Sequence, residues 1–138
     1  GDHWYCAIPQ LVGAGALVLQ PNYRGSSGYG EAFRARIIPD LGLVEYEDLV
    51  SGVDALVARG WVDPDRVGVI GMSHGGYLAA FCATYSDRFG AAVVLSGITD
   101  WVLNYAATDT CGWSRQYLHG TPWDAPERYR TTPPIAYA

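Results

Sequence analysis

Short, unbroken apolar runs alternate with amphipathic stretches along this chain, an order that predicts strands separated by helices. Residues Trp4 to Val12 suit a helix, and the run Ala14 to Leu19 is continuous and apolar, as expected of a strand buried on both faces and ended by Pro21 and Asn22. Tyr23 to Gly30 is a glycine-rich loop, followed by a short helical piece that Pro39 stops. From Glu45 to Arg59 the apolar residues Leu49, Val50, Val53, Leu56 and Val57 recur at helical spacing. Acidic residues fill the first turn, and Gly60 sits where a helix end favours a left-handed residue. Residues 61–65 turn into a second buried strand, Val67 to Ile70. Gly71 to Gly76 then lead into a helix over Tyr77 to Tyr85, and a third strand follows at Ala91 to Leu95. The remainder, Gly97 to Ala138, is rich in Trp, Tyr, Thr and Pro and reads as short helices and loops.

Composition narrows the function. At 138 residues, 49% hydrophobic and 17% charged, the chain suffices for one globular domain, taken here as residues 1–138. Nine Arg and no Lys against fourteen acidic residues give a net charge of -5, which argues against nucleic acid as a partner, because phosphate binding needs a basic surface. The absence of Lys removes the Walker-A loop and Schiff-base chemistry. No apolar stretch approaches the roughly 18 residues of a membrane span, so no membrane association is expected. Cys6, Cys82 and Cys111 form no CxxC pair and read as free thiols. With no N-x-S/T sequon and no secretion signal, a reducing cytoplasmic setting is the expectation, although the chain begins at Gly1 rather than Met. No metal site or cofactor is expected: there is no HExxH, and His3, His74 and His119 lack ligand spacing.

The chemistry concentrates at Gly71-Met72-Ser73-His74-Gly75, a G-x-S-x-G between a predicted strand and a predicted helix, as a nucleophile elbow requires. A serine at such a turn thrusts its hydroxyl out of the sheet. The flanking glycines are expected because a side chain there would collide with neighbouring backbone. The helix that follows points its N-terminal amides at the site, so the backbone N–H of His74 is a candidate oxyanion donor.

Three stretches make the chain resemble the catalytic domain of the prolyl oligopeptidase family of serine hydrolases, nearest its acylaminoacyl-peptidase and dipeptidyl-peptidase-like branches. They are Pro21 to Gly30 (PNYRGSSGYG), Asp65 to Tyr77 (DRVGVIGMSHGGY), and Gly120 to Trp123 (GTPW) with Tyr129, Arg130 and Pro134 to Ala138. The resemblance runs over nearly the whole chain but covers only the middle of a family catalytic domain. It implies an α/β fold, specifically a partial α/β-hydrolase fold with parallel strands and the elbow between strand and helix. It also implies that Ser73 is the acyl-enzyme nucleophile, that the His74 amide donates to the oxyanion, and that the Tyr29 hydroxyl is a candidate second donor. Packing of the Tyr29 ring on its loop is the alternative, since in the acylaminoacyl-peptidase branch the second donor comes from an upstream backbone amide.

A hydrolase of this fold needs its acid and histidine after the serine, each following a later strand. Ser73, then Asp100 or Asp109, then His119 has that order, but no apolar run between Leu95 and His119 is capable of two more buried strands, so the compact triad is disfavoured. The His74 side chain is expected to point away from the nucleophile. The resemblance also implies that a strand absent from this sequence lies between the strands at Ala14 and Val67. The isolated chain is therefore expected to be unstable, domain-swapped or aggregation-prone, and a fragment of a longer reading frame. Asp100, Trp101 and Tyr105, just beyond the third strand, are candidates to line a substrate pocket, with packing as the alternative. Arg24 suits either a substrate carboxylate or, preferably, an acidic partner that ties down its own loop.

Two functions follow. The first is a serine-type peptidase acting on peptide or acyl-peptide bonds through Ser73, with carboxylesterase as its variant and a peptide or ester as substrate. The second is a non-catalytic fragment completed by another chain or by missing sequence, or assembled as a homo-oligomer.

Overall fold

The computed structural model describes residues 7–38 and 40–138. The expected strands are realised in two of three places. β1 (Gly68–Met72) and β2 (Ala91–Leu95) pair in parallel, Gly68 opposite Ala91 and Met72 opposite Leu95. Before them come α1 (Ile8–Gly13), α2 (Glu31–Ala35) and α3 (Leu43–Ala58); α4 (His74–Tyr85) connects the strands; α5 (Trp101–Ala107), α6 (Cys111–Tyr117), α7 (Pro126–Thr131) and a closing 3-10 turn, Pro134–Tyr137, follow. The part of the predicted first helix at 4–6 lies outside the described residues, as do Cys6 and the stop at Pro39.

The strand expected at Ala14 to Leu19 is absent, for two physical reasons. Ala14 and Gly15 belong to the end of α1: Gly15 adopts a left-handed φ of 89°, its N–H reaches Val12 O at 2.9 Å, and Ala16 N–H reaches Leu11 O at 3.0 Å. That is a Schellman closure, and it consumes the first two residues of the apolar run. The rest, residues 16–20, has no ladder partner, because the sheet consists of β1 and β2 alone among the described residues. Leu17 and Leu19 stay 47% and 39% exposed. A lone extended segment leaves its backbone groups to water and gains nothing from the ladder.

α3 starts two residues before the position its periodicity suggests and ends as expected. Gly60, at a φ of 71°, closes it, with Gly60 N–H on Val57 O (2.8 Å) and Trp61 N–H on Leu56 O (3.1 Å). The central element is α4, buried continuously from Gly76 through Cys82. A helix apolar all round must be covered on all sides. Here β1 and β2 cover one side, and α3 with the C-terminal turn covers the other. The core gathers around it: Tyr77, Leu78 and Phe81 pack with Ile37, Leu41, Trp101, Leu118 and Tyr129. The Tyr77 hydroxyl lies between the carbonyls of Thr132 (2.8 Å) and Leu41 (3.2 Å), so one buried O–H ties the tail and the start of α3 to α4. Burial, with the buried Glu45 second, holds that phenol well above its usual pKa.

The sheet differs from expectation in its burial. The face formed by the paired residues Ile70 and Val93, with Met72, is uncovered, with these side chains 36%, 48% and 41% exposed. Strands expected to be buried on both faces are thus open on this one and only partly covered on the other, where Gly71 is buried but Val94 stays 41% exposed.

The loop Tyr23 to Gly30 is moored by Arg24. Its Nε donates to both oxygens of Asp48 on α3 (2.9 and 3.0 Å), its backbone N–H to Asp48 Oδ2 (2.7 Å), and a terminal nitrogen to Glu47 (3.0 Å). The anchoring reading of Arg24 is therefore the observed one. Burial raises the Asp48 pKa, but the bonds from Arg24 more than offset it and hold the carboxyl below its ordinary value. The unfolded chain then takes up the Asp48 proton at a higher pH than the folded chain does. This contribution is complete above the ordinary carboxylate range and is lost as pH falls through the lowered folded value. Asp48→Asn is expected to destabilise the protein by about 1 kcal/mol at pH 7 and to flatten the acid limb below about pH 4, as read by urea unfolding across pH.

Candidate active site

The sequence between β1 and α4 folds into a sharp strand-to-helix turn with Ser73 at its apex. Ser73 takes a φ of 58° and a ψ of -117°, a left-handed backbone that costs a non-glycine residue of order 1–3 kcal/mol and persists only where the surroundings enforce it. Two backbone bonds do so. Ser73 N–H donates to Leu95 O at the end of β2 (2.9 Å), and Ser73 O accepts from Tyr77 N–H in the first turn of α4 (2.9 Å). The side chain is exposed and makes no cap hydrogen bond, so the hydroxyl is presented rather than spent on the helix it precedes. The opening amides of α4 have no helical acceptors, which leaves donors beside that hydroxyl.

The glycines divide differently from the expectation for the five-residue pattern. A Cβ on Gly71 would strike the Gly75 backbone, and a Cβ on Gly76 would lie 2.5 Å from Leu95 O and 2.8 Å from the Gly97 Cα. Gly75 has open space where its Cβ would be. The close approach that shapes the turn is thus backbone on backbone at Gly71 and at the Gly76–Gly97 crossing, and the second glycine of the motif is not required by contact.

His74 does point its ring away from the apex. Its Nε2 lies 3.2 Å from Glu45 Oε1, and the ring sits 5.4 Å from Tyr77 and 5.9 Å from Trp113 between centroids. Glu45 is fully buried, and its other oxygen accepts the Gly42 N–H at 2.7 Å, closing the first turn of α3. Sequence reading passed over Glu45 as one of the acidic residues of a helix start. The available signal was its place three residues after Gly42, the spacing of a capping carboxylate. The Glu45 charge adds to burial in raising the Tyr23 phenol, and burial with the same charge pushes the Cys82 thiol up to about 12.

The other candidates are placed as follows. The Tyr29 hydroxyl is paired with Asn22 Nδ2 (2.8 Å), and its 56% exposed side chain packs on Phe33 at 5.1 Å. Asp100 caps α5, its Oδ1 accepting from the N–H groups of Val102 (2.8 Å) and Leu103 (3.0 Å). Trp101 has no exposed surface and lies against Tyr77 and Trp113, which is the packing alternative and not a pocket wall. Tyr105 is half-buried between Trp123 and Tyr129. His119 is exposed in the turn after α6 with a left-handed φ of 55°, and Asp109 is exposed as well. Among the described residues no hydrogen bond or ion pair joins His119 to Asp100, Asp109 or Ser73. A cavity of about 370 Å³ bounded by Leu41, Phe81, Tyr85, Arg128 and Tyr137 lies along the far half of α4, with Phe81 roughly 12 Å along the helix from Ser73. It belongs to the core's edge and not to the elbow. Among the described residues no helix is long and apolar enough to cross a membrane.

Known proteins share the sequence pattern and the fold of this chain. The profile of the prolyl oligopeptidase family matches residues 4–138. The uncharacterized peptidase YuxL of Bacillus subtilis is 33% identical over 110 residues, taking in 79% of this chain and 17% of that protein. Dipeptidyl-peptidase 5 of Porphyromonas gingivalis is 30% identical over 125 residues, 86% of this chain and 18% of its own. Among solved structures, an acylaminoacyl peptidase in complex with Z-Gly-Gly-Phe-chloromethyl ketone superposes with a TM-score of 0.76 at 34% identity, over 84% of this chain and 19% of that one. A puromycin hydrolase gives 0.74 at 34% identity over 84% and 18%. The chain therefore has the α/β fold of these peptidases and spans less than a fifth of the length of the curated relatives it matches.

Proposed function

This chain belongs to the prolyl oligopeptidase family, and we propose that it carries the nucleophile of a serine peptidase that cleaves peptide or acyl-peptide bonds through an acyl-enzyme on Ser73. The observation that carries this reading is the backbone of Ser73: a left-handed apex, enforced from β2 and from α4, with an exposed hydroxyl that does not cap the helix. In the reaction, Ser73 gives its hydroxyl proton to a base as Oγ attacks the substrate carbonyl carbon, and the carbonyl oxygen becomes an oxyanion. The His74 amide donates to it, and the Tyr29 hydroxyl, which accepts from Asn22 Nδ2 and so keeps its own proton to give, serves as a second donor. The leaving amine takes that proton as the tetrahedral intermediate collapses, and water, giving a proton to the same base, attacks the acyl carbon, breaks the ester to Ser73 Oγ and returns the hydroxyl its proton. An ester substrate follows the same course with an alcohol leaving.

The acid and base that power Ser73 lie outside these 138 residues in this proposal. What supports that is the distribution of groups within them: Asp100 is a helix cap, His119 stands in an exposed turn, and the His74 ring is bonded to Glu45. The alternative, a piece that acts only when completed by another chain, differs in where the base comes from and not in what Ser73 does.

The test is fluorophosphonate labelling of the protein expressed from its complete reading frame, beside residues 1–138 alone, each with Ser73→Ala. The complete protein is expected to label and the substitution to abolish it, by a factor of at least 10³ in rate. Residues 1–138 alone are expected to stay unlabelled. Labelling of the short chain that vanishes in Ser73→Ala places the base within it, whereas no Ser73-dependent labelling of the complete protein sinks the hydrolase reading.

A further inference from the structure

Glu45 is the one buried acidic side chain among the described residues, at 0% exposure, and it is bonded at both oxygens. Burying a carboxylate is costly, and an apolar side chain of similar volume would serve packing as well or better. Closing the first turn of α3 explains one oxygen, the one that accepts the Gly42 N–H at 2.7 Å. It does not explain the other, which faces His74 Nε2 at 3.2 Å across 29 residues of sequence. His74 is the first residue of α4 and follows Ser73 directly, so its ring belongs to the same residue as the backbone N–H assigned to the oxyanion in the reaction above. As a carboxylate Glu45 only accepts, which requires the proton on Nε2. His74 Nδ1 is buried without a hydrogen-bond partner, so the Glu45 bond is the one polar restraint described for this ring, and Tyr77 and Trp113 pack against it.

We propose that Glu45 is a positioning residue for the reaction at Ser73, holding the His74 ring so that the His74 backbone N–H stays aimed at the oxyanion. The proposal rests on the reading of Ser73 as nucleophile. One rigid link runs from the capped start of α3, through the carboxylate and the imidazole, to the peptide that follows the nucleophile. Such a link acts on the transition state, where the donor distance matters most, and leaves ground-state binding nearly untouched.

The experiment uses the protein from its complete reading frame and follows hydrolysis of an activated carboxylic ester, with Ser73→Ala as the blank. Removing an oxyanion donor costs about 10²–10³ in kcat, so loosening one by Glu45→Ala is expected to cost about tenfold, with KM within about twofold. Glu45→Gln is expected to recover most of the rate. Its carbonyl accepts from Gly42 N–H and its amide donates to His74 Nε2, with the ring proton moved to Nδ1. His74→Ala is expected to cost about as much as Glu45→Ala, and the double variant no more than either. Losses that multiply in the double variant, or a Glu45→Ala protein that melts lower but keeps its kcat, would show a helix cap only and overturn the proposal. Where Glu45→Ala does not fold, His74→Ala against Glu45→Gln/His74→Ala decides, since the glutamine must then make no further difference. A wild-type protein no more active than Ser73→Ala overturns the nucleophile reading and this role with it, and is seen before any Glu45 variant is made.

Discussion

Gly76→Ala is expected to leave little folded protein, while Gly75→Ala, one residue earlier, melts at or above the parent. The two positions differ in what a methyl group meets. At Gly76 it meets Leu95 O at 2.5 Å, Gly97 Cα at 2.8 Å and Gly97 N at 3.0 Å, all backbone. At Gly97 the reverse contact would bring a Cβ to 2.6 Å from the Gly76 carbonyl carbon. Neither side has a flexible side chain to yield, so α4 must lift from β2 or the turn must open. Overpacking costs about 1–3 kcal/mol where side chains can adjust and more where they cannot. Lifting α4 also breaks the Ser73 N–H to Leu95 O bond that enforces the apex, so folding and Ser73 labelling should fail together. Gly75 lies inside the helix with open space around its missing Cβ, where alanine is favoured by about 0.5–1 kcal/mol. Circular dichroism melts of the two variants check this. Equal melting temperatures would mean that the Gly76–Gly97 crossing is not what seats α4 on the sheet.

The elements that sequence made legible are those whose determinants are local. β2 matches its apolar run residue for residue, and Gly60 closes α3 through its own left-handed backbone. The elbow was legible because Gly71 and Ser73, which its chemistry and its backbone both need, lie within one short motif, although Leu95, Gly76 and Gly97 outside it help to shape the turn. Ser73 has to be small, hydroxylated and tolerant of a strained φ, and it sits between a strand and a helix that periodicity finds independently. What failed depended on partners distant in sequence. Ala14 to Leu19 has the composition of a buried strand, yet composition cannot supply a neighbouring ladder, and Gly15 turns out to be the end of α1. The contact requirement expected at Gly75 falls on Gly76 for a similar reason, since it is Gly97, 21 residues on, that decides which of them must lack a side chain. Glu45 is the clearest case. Its capping bond to Gly42 was within reach of local spacing, whereas its bond to His74 exists only because α3 and α4 pack against each other.

Trp101→Ala is expected to remove the cooperative unfolding transition, although Trp101 follows the strand that supports the Ser73 turn and is equally readable from sequence as a pocket residue. It has no exposed surface and lies 4.9 Å from Tyr77 and 5.6 Å from Trp113 between ring centroids, the latter stacked at 26°. Through these two rings it joins α5 and α6 to α4, the helix that carries Ser73 at its start. Truncating a buried tryptophan costs about 3–5 kcal/mol, because transfer energy is lost and a cavity remains. A domain holds only about 5–15 kcal/mol in all, so a loss of that size removes a large part of it, and this one leaves Ile70, Met72 and Val93 on an uncovered sheet face that contributes little burial. The same substitution at Trp123, 79% exposed, is expected to shift the melt by no more than about 0.5 kcal/mol. Far-ultraviolet circular dichroism melts separate the outcomes, since the substitution itself deletes the stacked Trp101–Trp113 pair and only the sharpness of helix loss reports on the core. If Trp101→Ala unfolds as sharply as the parent while Ser73 loses its reactivity, Trp101 serves the substrate side of the turn and not the core.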